Sequence, residues 1–303
     1  MTLAVTWRPA ALLLLLLLAA CGSSTPADES PPPDRRLEQA NQAGTRALAV
    51  NRTADAIKQY RAALAVAYER DDAAAIGDVG YNLAVAQLRA GSAADAARTG
   101  REIRAELERR RQAPPAELIL VQAAAAYRLG AVDEALAAAG EVLARAPAPE
   151  IATRAQYIRG AVLADLGDAQ GLAQALAAIP PSAKPDQEGD RLELSGRVAM
   201  LAGATDRAAR DFEQAADQRR LALDYRGMAR ALSLAGDAVL RQGRTGDAAG
   251  LFLRAGRSAL LQGDAATGKT LLDRADQLAR QSGAADIRAE VERVRKAAAA
   301  TRS

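Results

Sequence analysis

The feature of this sequence that most constrains its fold is a ladder of small residues at fixed spacing. Six times along the chain, a small residue is followed seven residues later by a turn residue, and five residues after that by a second apolar residue, usually alanine. Small residues on both sides of a turn let two helices pack closely, and glycine adopts a left-handed turn at little cost. The spacing therefore predicts paired helices stacked into an α-solenoid. The turn residues are Asn51, Gly91, Gly130, Gly167, Gly203 and Gly243.

Composition agrees with an all-α protein. Half of the 303 residues are hydrophobic, but aromatic residues make up only 3%. Alanine, leucine, arginine and glutamate favour helix, whereas the β-branched and aromatic residues that favour sheet are sparse. The fourth copy of the pattern is the weakest, because Leu172 stands where alanine is expected.

The repeats resemble the tetratricopeptide repeat (TPR), a helix–turn–helix unit, most clearly at residues 54–64 and 81–84. The resemblance implies a right-handed α-solenoid of about six TPR-like repeats over residues 37–262. The helix at about 245–262 is expected to end the sixth repeat and to begin a partial seventh. Helices within residues 263–303, near 264–281 and 285–299, are expected to cap the C-terminal end. The resemblance also implies that the first helices line a concave groove that binds a peptide or a partner helix.

Six side chains on the first helices of three neighbouring repeats are candidates for partner binding. The repeat pattern does not require them, and tyrosine and arginine are enriched in binding hot spots. The tyrosines could equally fill gaps between alanine-rich helices, so both roles stay open. The candidates are Tyr81, Arg89, Tyr127, Arg128, Arg154 and Tyr157.

Residues 1–20 are predicted to be a signal peptide. Their apolar run at 10–20 contains seven consecutive leucines and is shorter than the roughly 20 residues that span a membrane. The run ends in Leu18, Ala19, Ala20 and Cys21, which resemble the lipobox of bacterial lipoproteins. The resemblance implies acylation of Cys21 and, because Gly22 rather than aspartate follows, an outer-membrane lipoprotein facing the periplasm. An ordinary signal peptide with an incidental cysteine is the alternative.

Residues 21–36 are expected to form the lipidated cysteine and a disordered tether. Residues 22–33 contain four prolines and no apolar periodicity, which is typical of an extended linker. Asp34 is expected to cap the first helix, because it directly precedes a helical pattern.

The residue types present exclude several kinds of chemistry. The chain has no histidine, which removes imidazole-based catalysis and imidazole metal sites. Its 40 basic and 37 acidic residues give a net charge of +3, too little for the basic stripe of a nucleic-acid-binding protein. The carboxylates are expected to lie on solvated helix faces, and an enzyme that uses a cleft of convergent carboxylates is the disfavoured alternative. No enzymatic activity, cofactor or metal is therefore expected.

One motif suggests nucleotide binding. Residues 263–270 carry the letters of a phosphate-binding P-loop, including Gly263, Gly268 and Lys269. Such a loop must follow a buried β-strand and open a helix. The residues before Gly263 have a helical pattern, so nucleotide binding is the disfavoured alternative.

Together these features predict a lipid-anchored periplasmic scaffold or adaptor that binds a protein or a peptide, and no nucleic acid. Lipoproteins that it resembles include scaffolds of cell-wall enzymes and of outer-membrane protein assembly. A TPR lipoprotein of pilus or secretion assembly is the alternative within the same class. Self-association through the groove or the terminal helices also stays open.

Overall fold

The computed structural model describes residues 34–145 and 147–300. Within these residues the chain forms fourteen α-helices and no strand, in one compact unit that starts at Arg35. The predicted signal peptide, Cys21 and the tether up to residue 33 lie outside the described residues. The helices are α1 (Arg35–Ala49), α2 (Thr53–Glu69), α3 (Ala73–Arg89), α4 (Ala93–Arg109), α5 (Ala116–Arg128), α6 (Val132–Ala144), α7 (Pro149–Asp165), α8 (Ala169–Ala177), α9 (Pro185–Leu201), α10 (Thr205–Leu221), α11 (Tyr225–Arg241), α12 (Thr245–Leu261), α13 (Ala265–Ser282) and α14 (Ala285–Ala300).

The turns within helix pairs have the backbone conformation that the sequence predicts. All six predicted turn residues have positive φ, from 59° at Asn51 to 85° at Gly91. Glycine adopts this region without the strain that a side chain would bring. Three turns between pairs place other residues there, namely Asp71, Arg111 and Leu223, and nothing in the repeat pattern predicts them.

The small residues of the first helices face large side chains of the second helices. A Cβ on Gly196 would stand 2.6 Å from the Phe212 ring, and one on Gly236 would stand 3.0 Å from the Phe252 ring. Each ring therefore fills the space that a missing side chain leaves, which draws the paired backbones together. These contacts confirm the expected all-α solenoid of helix pairs.

Helix α12 belongs to two pairs, as the sequence predicts. It packs against both α11 and α13. A Cβ on Gly256 would meet Leu272 at 3.0 Å, at the same sequence offset that joins Gly236 to Phe252. Helices α13 and α14 lie close to the two helices expected after residue 263, and Val291 of α14 is buried in the same core as Leu272.

Two details differ from the expected pattern. Helix α1 starts at Arg35, so Arg35 and Arg36 are helical rather than part of the tether, and Arg36 pairs with Glu69 of α2 at 3.1 Å. The cap expected at Asp34 agrees with this start, whereas the tether boundary at residue 36 followed the apolar pattern, which begins only at Leu37 because a helix can begin with charged residues. Helix α8 has only nine residues, consistent with the weak fourth copy.

Candidate functional site

The first helices of successive pairs form a continuous layer. Helices α1, α3, α5, α7 and α9 contact one another in that order. In a solenoid, the layer whose helices meet from repeat to repeat lies on the concave side, because the spacing between repeats is smaller there. Helix α11 continues this layer, because Nη2 of its Arg230 donates to Glu193 of α9 at 3.1 Å. We call these six helices the inner layer.

The inner layer curves enough to bring distant repeats together. The Nη1 atom of Arg226, at the start of α11, lies 3.3 Å from where a Cβ of Gly91 would stand. The same guanidinium pairs with Asp264 at 3.1 Å. Residues of α11 therefore face the part of the groove in which the sequence placed its binding candidates.

A buried ion cluster joins four helices on this inner face. Glu193 of α9 has 0% of its surface exposed. It accepts hydrogen bonds from the Tyr157 hydroxyl at 2.8 Å, from Nη2 of Arg219 at 2.8 Å and from Nη2 of Arg230 at 3.1 Å. The donors come from α7, α10 and α11, so one carboxylate links three consecutive repeats. We call the whole set the Glu193 cluster: Arg154, Tyr157, Asp190, Glu193, Arg197, Arg219 and Arg230.

A second carboxylate extends the Glu193 cluster along α9. Asp190 is also fully buried. It accepts hydrogen bonds from Nη1 of Arg154 at 2.7 Å and from Nη2 of Arg219 at 2.9 Å. The Arg219 guanidinium thus bridges Asp190 and Glu193, and it also lies over the Tyr157 ring, 5.3 Å from its centroid.

Burial raises the pKa of a carboxyl group, nearby positive charge lowers it, and the balance differs between Glu193 and Asp190. Burial alone would raise the pKa of Glu193, but the guanidinium groups of Arg230 and Arg219 outweigh it and hold that pKa well below its usual range. Burial raises the pKa of Asp190, and its arginine partners offset only part of this effect. Glu193 is therefore the fixed negative charge around which the arginines gather.

Further hydrogen bonds and an ion pair connect helices along the groove. The Tyr127 hydroxyl donates to Asp165 at 3.0 Å, and Arg197 pairs with Asp165 at 2.7 Å. Nη1 of Arg128 donates to the Leu88 carbonyl at 2.6 Å. Nη2 of Arg197 also donates to the Tyr127 hydroxyl at 3.3 Å. These contacts join α5 to α3, α7 and α9, so side chains of the chain itself hold this part of the groove wall.

Most of the candidates predicted for partner binding are engaged within the chain. Tyr157 is only 7% exposed, so of its two open roles the structure favours packing. Arg154, Tyr127 and Arg128 have the intramolecular partners named above. Tyr81 is half-buried, and Arg89 is exposed without an ion pair among the described residues. Partner binding through these side chains stays a prediction.

The expectation that carboxylates lie on solvated helix faces is wrong for Asp190 and Glu193. No local signal distinguishes these two residues from the solvated acids of other helices. Their arginine partners come from α7, α10 and α11, and only the tertiary fold brings them together. Both carboxylates are saturated by arginines and shielded from solvent, so their convergence does not form an open catalytic cleft.

The inner layer is open next to the Glu193 cluster, over the fourth to sixth helix pairs. A cavity of about 440 Å³ lies there and shares Arg197 with the cluster. Its apolar side chains come mainly from α9 and α11, and charged groups stand among them. The lining comprises Ala164, Arg197, Met200, Leu201, Phe212, Leu234, Asp237, Leu240, Arg241 and Arg274.

The residues that match a P-loop in letters do not form one. Helix α12 precedes Gly263 where a P-loop requires a strand. Gly268 lies within α13 against Leu260, 2.6 Å from its Cγ if a Cβ were added. Lys269 is exposed and pairs with Asp273 at 2.7 Å. Gly263 thus forms the turn between α12 and α13, and Gly268 lets these two helices pack closely.

Two other kinds of site are absent from the part of the chain that the structure describes. No helix there is long and apolar enough to cross a membrane. No group of three or more acidic, cysteine or histidine side chains within residues 34–145 and 147–300 is placed to hold a metal ion.

Comparison with known proteins identifies the fold. No protein-family model and no curated protein matches this chain. It is similar to a solved tetratricopeptide repeat protein from Parabacteroides merdae, with a TM-score of 0.50 and 14% identity over 86% of this chain and 100% of that chain. It is also similar to the TPR2AB domain of yeast Sti1 in complex with pHSP90, with a TM-score of 0.37 and 15% identity over 87% and 98% of the two chains. The first likeness shows the fold alone, an all-α solenoid of TPR-like repeats.

Proposed function

We propose that this protein is a non-catalytic scaffold that holds a partner protein or peptide against its inner layer. The observation that carries the proposal is the cavity over α7, α9 and α11. Elsewhere on the inner layer, side chains such as Tyr127, Arg128 and those of the Glu193 cluster bind one another, whereas at this cavity the side chains leave room for another molecule. A solenoid offers an extended concave surface of this kind for binding.

The Glu193 cluster supports this role by making the inner layer rigid. Hydrogen bonds from Tyr157, Arg219 and Arg230 to one buried carboxylate fix three repeats relative to each other. A surface that is held before the partner arrives loses less conformational entropy on binding. The cluster is thus the support of the binding surface rather than part of it.

The N-terminal sequence supports a lipid anchor in the same proposal. Leu18, Ala19, Ala20 and Cys21 match a lipobox, and several acyl chains give stable membrane attachment. The scaffold would then face the periplasm from the outer membrane. Cys21→Ser should abolish incorporation of labelled fatty acid and release the protein from membranes. Continued labelling of that variant would contradict the anchor.

Affinity capture from detergent-solubilised envelopes tests the scaffold function. A partner should be recovered with the wild type and with Leu221→Asp/Arg210→Glu, a control pair that changes exposed residues of the second helix α10. It should be lost with an inner-layer variant, either Tyr81→Ala/Arg89→Glu or Leu201→Asp/Arg241→Glu. Loss with the control pair, with retention in both inner-layer variants, would place binding on another face and refute the proposal.

A further inference from the structure

The cavity over the fourth to sixth helix pairs combines an apolar floor with an excess of positive charge. Met200, Leu234 and Leu240 line it and are only half-buried, and Leu201 at its edge is 44% exposed. These four side chains form an apolar surface that is partly open to solvent, which we call the apolar floor. A volume of about 440 Å³ falls in the range of ligand pockets, roughly 300–1,000 Å³.

Three arginines and one aspartate stand around this floor. Arg274 pairs with Asp237 at 2.6 Å, which neutralises the one acidic group of the lining, and it lies 4.3 Å from the centroid of the Phe252 ring. Arg197 pairs with Asp165 at 2.7 Å. The charges of these two arginines are thus matched within the chain.

The third arginine is different. Arg241 is exposed and lines the cavity directly after Leu240, and its guanidinium forms no ion pair or hydrogen bond with any residue that the structure describes. Like-charged groups placed here would be repelled, whereas a carboxylate would find an available guanidinium. Charge complementarity therefore selects an anionic neighbour for the apolar floor.

We infer that this cavity binds a segment of a partner protein that inserts one large apolar side chain and places a carboxylate of the same segment on Arg241. The inference rests on the proposed function and names the chemistry of its partner. The apolar side chain covers Met200, Leu234 and Leu240, and the carboxylate supplies the charge that Arg241 lacks. Neither group alone accounts for both features of the cavity.

A random peptide-display library panned against the full chain in detergent tests this inference. The enriched peptides should pair a large apolar residue with Asp or Glu. In fluorescence anisotropy, Arg241→Glu should weaken their binding at least about tenfold, which corresponds to about 1.4 kcal/mol, and Leu201→Asp should do the same. The matched control pair Leu221→Asp/Arg210→Glu should change affinity less than about twofold, since both residues lie on the second helix α10.

Charge reversal separates direct contact from an effect on folding. A peptide whose acidic residue is replaced by lysine should bind the Arg241→Glu variant more tightly than the original peptide binds that variant. Peptides without acidic residues, or binding that is insensitive to Arg241→Glu, would overturn the inference. Peptides that lose binding only with Tyr81→Ala/Arg89→Glu would also overturn it while leaving the scaffold function standing. A library that yields no binding peptide overturns the inference as well, and envelope capture then decides the scaffold function separately.

Discussion

Replacing Glu193 by glutamine should destabilise the fold far more than a typical polar substitution. Glutamine keeps the volume of the side chain, so the change leaves no cavity. It removes the negative charge that accepts hydrogen bonds from Tyr157, Arg219 and Arg230. It also places an amide NH₂ group beside these donors, and an NH₂ group cannot accept their hydrogen bonds.

The expected loss follows from burial and from the number of donors. Removing one partner of a buried ion pair costs about 3–5 kcal/mol, because the opposite charge stays buried without compensation. Glu193 has no exposed surface, and Arg219 is nearly as buried, so solvent cannot replace the lost charge. For a chain of this size such a loss corresponds to a fall of roughly 6–20 °C in melting temperature.

Urea unfolding followed by circular dichroism measures this loss, with Glu213→Gln as the matched control. Glu213 is exposed on α10, so its substitution should change the free energy of unfolding by less than about 0.5 kcal/mol. Adding Arg230→Met to Glu193→Gln should recover part of the stability, because it removes one uncompensated guanidinium. A loss below about 1 kcal/mol for Glu193→Gln would refute the role assigned to the Glu193 cluster.

The remaining predictions concern pH and backbone packing. The folded-state pKa of Glu193 lies below its ordinary value of 4.5. The ionised carboxylate therefore contributes its full stabilisation above about pH 4.5 and loses it as the pH falls further. In urea titrations, the difference in free energy of unfolding between wild type and Glu193→Gln should shrink below about pH 4.5. Gly196→Ala should lower the free energy of unfolding by about 1–3 kcal/mol, since its Cβ would stand 2.6 Å from the Phe212 ring. Its control Gly140→Ala, in open space within α6, should raise stability by about 0.5–1 kcal/mol. Leu223→Gly should stabilise the protein by about 1 kcal/mol, because Leu223 holds φ at 58° while 70% exposed; an unchanged melting temperature would contradict the assumed backbone strain.

The sequence predicts most of the fold because its repeats are local. The turn at Gly203 and the approach of Gly196 to Phe212 depend on residues within one helix pair, so their spacing is visible in the sequence. The double use of α12 follows from the same spacing, because Gly263 comes too soon after Gly243 for another full repeat. Leu223 shows the limit, since no local rule places a leucine in a left-handed turn.

The candidate site was less predictable because its contacts are not local. Tyr157 and Arg154 are on the inner layer, as expected, but their partners Glu193 and Asp190 come from the next first helix. A helical pattern shows which face a side chain occupies and not which distant charge it meets. Arg241 was not among the candidates, because its place beside an open cavity depends on the curvature of several repeats.

Site-specific photo-cross-linking in cells that produce this protein naturally tests most directly whether the open part of the inner layer holds a partner. A photoreactive amino acid at Leu201 should yield a cross-linked protein, and Arg241→Glu in the same chain should abolish that product. Mass spectrometry should locate the cross-link in a partner segment that carries a large apolar residue and a nearby carboxylate. The same photoreactive residue at Arg210, exposed on α10, should give no such product. Equal cross-linking from Arg210, or no product from Leu201, would contradict a partner held in this groove.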